Sequence, residues 1–169
     1  VNLILSDIAF DLFDNDEAIE FINLKKLKIS NCIGCFSCWV KTPGKCIIRD
    51  DAIKIYPKIA ASKRLMYVSK IRYGSYDTVM KTMLERAIPI QQPFIRLYDG
   101  ETHHVQRNVS LKEAVIIGYG NIDDEEKEIF KELVKRNAKN MSFKSYRIIF
   151  ASEKELPKII EQEVALWKK

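Results

Sequence analysis

Residues 113–126 read EAVIIGYGNIDDEE, and the fold turns on how this stretch divides. Its first six residues, 113–118, form a nearly continuous apolar run. That is the pattern of a strand covered on both faces, since clean alternation belongs to strands with one face in water. Asp123, Asp124, Glu125 and Glu126 then stand in the first turn of an expected helix over 124–137, where acids favour the positive end of the dipole. A buried strand leading through Gly118-Tyr119-Gly120 into such a helix is half of a parallel βαβ unit.

Working outward, the same alternation recurs. Strands are expected at 2–8 (NLILSDI), 18–24 (AIEFINL), 64–71 (RLMYVSKI) and 146–151 (YRIIFA), and helices at 52–61, 76–87 and 155–167. Pro57 falls inside the first of these helices. Pro89 and Pro93 are expected to break the chain into an irregular stretch running to Leu111. Five strands interleaved with helices define an α/β fold: a flavodoxin-like three-layer sandwich with a five-stranded parallel sheet in the order 2-1-3-4-5. Ligands of such a sheet sit at the carboxyl ends of the strands, near the switch point. Only AFDLFDNDE, residues 9–17, separates the first two strands, so the first crossover is expected to be shortened, with its helix reduced to about one turn.

A chain of 169 residues without a linker or repeat is expected to be one domain spanning 1–169. With 47% hydrophobic and 30% charged residues it has the composition of a globular protein. The net charge of +5 comes from 28 basic and 23 acidic residues that interleave, as in NIDDEEKEIFKELVKR. Without a basic stripe or interleaved aromatics, no nucleic-acid partner is expected. Apolar runs are too short to cross a bilayer and no signal sequence is evident, so neither a membrane partner nor export is expected, and the expected location is cytoplasmic.

All four cysteines lie in NCIGCFSCWVKTPGKC, residues 31–46. In a reducing compartment such a cluster points to ligand or thiol chemistry rather than disulfides. Several readings stay open. Cys32, Cys35, Cys38 and Cys46 could converge on one [4Fe–4S] cube, with Gly34, Pro43 and Gly44 turning the loop. They could be small hydrophobes in a structural loop. Cys35 and Cys38 could form a redox thiol pair. Zinc would accept four sulfurs, though more often from two knuckles.

CIGCFSCWVKTPGKCIIRDD (32–51), VSKIRYGSYDTVMKTMLERAIP (68–89), GETHHVQR (100–107) and IIGYGNIDDEEKEIFKELVKRNAKN (116–140) together resemble the flavodoxin-like NAD(P)H-dependent FMN reductases, including the iron–sulfur flavoproteins. The resemblance implies an FMN-dependent oxidoreductase, usually oligomeric, taking electrons from NAD(P)H or ferredoxin. It also implies that the cysteines hold a [4Fe–4S] cluster. Family members have a Ser-Pro-x-Tyr-x-Gly loop after the third strand; here it reads Ser69, Lys70, Ile71, Arg72, Tyr73, Gly74. By that likeness Ser69, Ile71, Tyr73, Gly74, Ser75 and Tyr76 would line the flavin, together with Tyr119 and Gly120 of the later loop. As residues alone, both loops also read as plain strand-to-helix turns whose tyrosines pack at the sheet edge. Glu101, His103, His104 and Arg107 match a stretch that in the family lies in an insertion near the active site or a partner subunit; by themselves they read as a loop packed by its own side chains.

One departure is large. Where the family has a Gly-Ser-Pro-Arg-like loop for the FMN phosphate, this chain has Ser6, Asp7, Ile8, Ala9 and Phe10, then Asp11, Asp14, Asp16 and Glu17. A dianion needs free N–H donors from a small-residue turn, and acids supply the opposite. FMN is therefore expected to be held weakly or lost. The alternative function is a divergent member that binds no flavin and serves as a binding or assembly subunit.

Overall fold

The computed structural model describes residues 2–10 and 18–168. In chain order its elements are β1 (Asn2–Ser6), β2 (Ile19–Asn23), α1 (Ser37–Val40), α2 (Ala52–Ala61), β3 (Arg64–Arg72), β4 (Ser75–Tyr76), α3 (Thr78–Glu85), β5 (Gln91–Tyr98), β6 (Glu101–Gln106), β7 (Lys112–Tyr119), α4 (Asp124–Asn140), β8 (Phe143–Ala151) and α5 (Leu156–Trp167). β1, β2, β3, β7 and β8 form a parallel sheet in the order β2-β1-β3-β7-β8, which is the expected order 2-1-3-4-5. The expected shortened first crossover falls on 9–17, most of which lies outside the described residues.

Strand periodicity divides the core in two. Leu3, Leu5, Leu65, Tyr67, Ala114 and Ile116 face one way, against Ile55 and Ile59 of α2, Met80 and Met83 of α3, and Phe130 and Val134 of α4. The intervening Ile4, Met66, Val68, Val115 and Ile117 face the other way, against Leu156, Ile160 and Val164 of α5. Both faces of the central strands are thus dry, which is why their sequences run apolar without alternation. No helix among the described residues is long and apolar enough to cross a membrane.

Three expectations need correction. The stretch expected to be irregular up to Leu111 contains an antiparallel hairpin, β5 paired with β6, turned at Asp99-Gly100 with φ of 50° and 74°. Asp-Gly is the favoured pair for a turn with two positive φ angles, and that signal outweighs the prolines. Pro93 is tolerated because the register shifts between Gln91 and Ile95, where a residue without an N–H costs no ladder bond. Secondly, Tyr76 does not begin a helix: with Ser75 it pairs back on β3, opposite Ile71, and α3 starts only at Thr78. Asp77 sets that start by accepting the N–H of Thr78. Thirdly, the last strand starts at Phe143 rather than at 146, because its exposed first half carries no apolar signal.

Candidate functional site

The carboxyl ends of β1 and β3 mark the switch point, where the chain leaves the sheet in opposite directions. Asp7, the first residue past β1, is 2% exposed. Its Oδ2 accepts the Ser69 hydroxyl (3.1 Å) and the Lys70 N–H (2.8 Å), and its Oδ1 accepts the Tyr119 hydroxyl (2.8 Å). One buried carboxylate thereby ties the ends of β1, β3 and β7 together. Burial pushes the Tyr119 hydroxyl's pKa up, and the contact with Asp7 adds to it. The backbone donors here are already engaged: the Asp7 N–H reaches the Val68 carbonyl (3.1 Å) and the Ile8 N–H reaches the Ser6 hydroxyl (3.1 Å).

Beyond β3 the chain turns through Tyr73 and Gly74, both at positive φ (52° and 66°), and opens a cleft of about 760 Å³. Arg72, Tyr73, Ser75, Tyr76 and Asp77 wall one side of it, and Thr78, Lys81, Thr82 and Glu85 of α3 also border it. Its size falls within the range of about 300–1,000 Å³ usual for small-molecule sites. Tyr73 is 89% exposed, an aromatic face free for a flat ligand. The adjoining turn is fixed by Gly74, whose N–H donates to Glu126 (3.3 Å). A Cβ there would lie 2.5 Å from the Ile129 side chain, at a φ that disfavours any L side chain. Gly74→Ala is therefore expected to lower stability by about 2–3 kcal/mol in a denaturant titration, from αL strain and overpacking together.

The cysteine loop borders the same region. Cys32, Cys35, Cys38 and Cys46 all line one cavity, with Glu85 and Arg86 of the α3 end behind them. Ser37 hydrogen bonds hold Cys35 below the ordinary thiol range, while burial and the neighbouring Cys46, Cys32 and Cys35 push Cys38 up. Among the described residues no three His, Cys, Asp or Glu side chains converge as a formed metal cage. What fits a cluster is the donor set: four thiols around one cavity, with a cation at its base.

That cation is Arg86, 1% exposed. Its guanidinium makes a two-pronged contact with Asp50 (2.6 and 3.0 Å), donates to the Ser30 carbonyl (2.7 Å), and lies 3.4 Å from the Cys46 sulfur. Burial would push the Asp50 carboxyl up; bonds from Arg86 and from the N–H groups of Ser30 and Ala52 hold it below its ordinary value. Trp39 staples the loop to the hairpin: its indole N–H donates to the Gln91 carbonyl (3.0 Å), and its ring lies between Phe36 (5.3 Å) and His104 (4.8 Å).

The residues expected to line a flavin separate into groups. Tyr73, Ser75 and Tyr76 border the cleft, alongside Cys32. Ser69 and Tyr119 are bound to Asp7 instead, Ile71 is buried in the core, and the Gly120 N–H reaches the Ala151 carbonyl (3.4 Å). Of the GETHH residues, His103 is buried between Glu101 and Asn140, His104 supports Trp39, and the Arg107 side chain lies against Gly44. Sequence reasoning missed Asp7 as a hub; Glu85-Arg86 at the helix end reads in the sequence as an ion pair or a charge on the helix C-terminus, and what it does not give is Asp50 as the partner of Arg86. An acid directly after an apolar strand was the only available signal for Asp7.

With order β2-β1-β3-β7-β8, helices on both faces and a cleft at the strand ends, the chain has the flavodoxin-like fold. No protein-family model matches it. Over 75 residues it is 32% identical to an iron–sulfur flavoprotein of Methanocaldococcus jannaschii; the match covers 44% of this chain and about 38% of that relative's length. Among solved structures, an FMN-dependent NADH-azoreductase from Bacillus anthracis, in complex with FMN, superposes with a TM-score of 0.57 at 14% identity, covering 96% of this chain and 94% of the other. An NAD(P)H:quinone oxidoreductase from Methanothermobacter marburgensis gives a TM-score of 0.56 at 11% identity, covering 96% and 93%. At such identities the structural likeness speaks for the fold. With the partial match to the flavoprotein, it bears out the resemblance read from the sequence.

Proposed function

We propose that the chain is a flavin-dependent oxidoreductase of the FMN reductase and iron–sulfur flavoprotein type. One observation carries this reading: the open cleft beyond β3 and the four-cysteine cavity share Cys32 and Glu85 as walls. A redox ring in the one would lie next to a redox centre in the other. The names of the relatives add support, since they are a flavoprotein, an azoreductase and a quinone oxidoreductase.

A bound flavin supplies hydride acceptance and the release of single electrons. The chain's part is to stack the ring against Tyr73, border it with Ser75 and Tyr76, and keep it beside the cysteine loop. Cys32, Cys35, Cys38 and Cys46 would hold a [4Fe–4S] cluster, whose negative charge the buried Arg86 offsets. The proposed electron donor is NAD(P)H or ferredoxin, and the proposed assembly is a homo-oligomer in the cytoplasm.

The cleft is of a size to take the ring part of FMN; of the loop after β1 only residues 7–10 are described, and there the Asp7 and Ile8 N–H groups are engaged beside a buried carboxylate, a poor match to a phosphate. That one mismatch favours a second reading, a flavin-free binding or assembly subunit. An absorption spectrum of protein purified without oxygen, with iron and acid-labile sulfide assayed on the same sample, separates the two. Flavin bands and a broad brown shoulder with about four irons per chain are expected. Colourless, iron-free protein that ignores added flavin would overturn the oxidoreductase reading.

A further inference from the structure

We infer that a pocket between α3 and α4 is a binding site for an uncharged, single-ring aromatic molecule bearing a carbonyl-type acceptor, with the Tyr67 hydroxyl as its hydrogen-bond donor. The inference does not depend on what occupies the neighbouring cleft.

Size, walls, hydrogen bonding and charge all point the same way. The pocket has a volume of about 240 Å³. An apolar cavity of about 150 Å³ takes a benzene ring, so this one has room for a ring and a short substituent. Leu84 of α3, Leu133 of α4 and Met141 border it together with the rings of Tyr67 and Tyr76. Those two rings meet edge to face, 6.3 Å apart at 88°. Such walls offer a flat ligand both an aromatic partner and a thioether. Tyr67, on β3, lies in the wall formed by the sheet, and its hydroxyl has no hydrogen-bond partner among the described residues. A buried hydroxyl left unpaired costs free energy, and a ligand that accepts from it recovers that cost. Burial pushes the Tyr67 pKa well up, so the hydroxyl keeps its proton and stays a donor. The Tyr76 hydroxyl is already bonded to the Asn137 side chain. Lys81 and Glu85, both exposed and of opposite sign, are the charged residues among those described that border the pocket. An ionised ligand would shed its water against apolar walls with no net charge to meet it, whereas a neutral one meets no such penalty.

The test is a pair of titrations of isotope-labelled protein followed by amide chemical shifts. One uses acetophenone; the other uses α-methylstyrene, which has the same shape with a methylene group in place of the carbonyl oxygen. Acetophenone is expected to move the amides of Ser75, Leu84, Leu133 and Asn137. It should bind at least about fivefold more tightly than α-methylstyrene, the gain from pairing one buried donor. In Tyr67→Phe, which loses no side-chain hydrogen bond within the described chain, that preference should vanish, with circular dichroism confirming the fold. If neither probe moves those amides at millimolar concentration, the inference is overturned while the flavin reading stands. Shifts confined to Arg72, Tyr73 and Asp77 would place the probe in the cleft and overturn the assigned site. Equal affinity for the two probes, or a preference that survives in folded Tyr67→Phe, would remove Tyr67 from the explanation and overturn the assigned ligand class.

Discussion

Arg86→Leu is expected to destabilise the protein by about 3–5 kcal/mol, the usual consequence of stripping one partner from a buried ion pair. The guanidinium sits at the C-terminal end of α3 and gathers three separate pieces of chain: the Ser30 carbonyl before the cysteine loop, Cys46 at its end, and Asp50 just beyond it. Leucine fills the space but leaves the Asp50 carboxylate, 11% exposed at its side chain, without its cation. Chemical denaturation of the two proteins measures the loss. The double variant Arg86→Leu, Asp50→Leu removes the stranded charge as well, and should recover a good part of the stability. Were the double variant no more stable than Arg86→Leu, the cost would lie in the geometry of the loop rather than in the unpaired charge. If the cysteines hold the proposed cluster, Arg86→Leu should also lower the iron retained per chain, since the pair holds both ends of the loop; a colorimetric assay of the same preparation reads it.

Arg86 also shows where sequence reading stops. The sheet was legible because burial on two faces leaves a one-dimensional trace: AVIIG in β7 and LMYV in β3 are apolar without interruption. The hairpin of β5 and β6 was less so, since exposed strands such as FIRLY have no face that must be apolar, and Pro93 masked the Asp-Gly turn. Ion pairs across the fold leave no local pattern. Nothing in MLERAIP distinguishes an arginine that ends a helix in water from one that reaches 36 residues back to Asp50. The cleft was half legible for a related reason. The loop after β3 gave Tyr73, Ser75 and Tyr76, which do border it, whereas Tyr119 is drawn away by Asp7, a contact spanning 112 positions.

A second buried cation yields the other large expectation. Lys112, at the start of β7 and 1% exposed, donates its Nζ to the carbonyls of Ser110 (2.7 Å) and Met141 (3.1 Å), and no carboxylate pairs with it among the described residues. Burial lowers its pKa from the ordinary 10.5 to about 8. Below pH 8 the folded and unfolded chains both carry the proton, and the folded state bears the full cost of a desolvated charge. Between pH 8 and 10.5 the unfolded chain binds more protons than the folded one, so stability rises with pH from this group. Above 10.5 both states are neutral and the cost is gone. The lysine should thus contribute a rise on the order of 3 kcal/mol across that window, from about 1.4 kcal/mol per unit of pKa. Comparing wild type with Lys112→Met in urea titrations from pH 7 to 10.5 isolates it from the other titrating groups. The difference between the two proteins should move in the wild type's favour as pH rises, even though methionine leaves the two carbonyls without their donor at every pH. A difference that stays flat across the window would mean that Lys112 keeps an ordinary pKa and that its ammonium is hydrated in the folded chain.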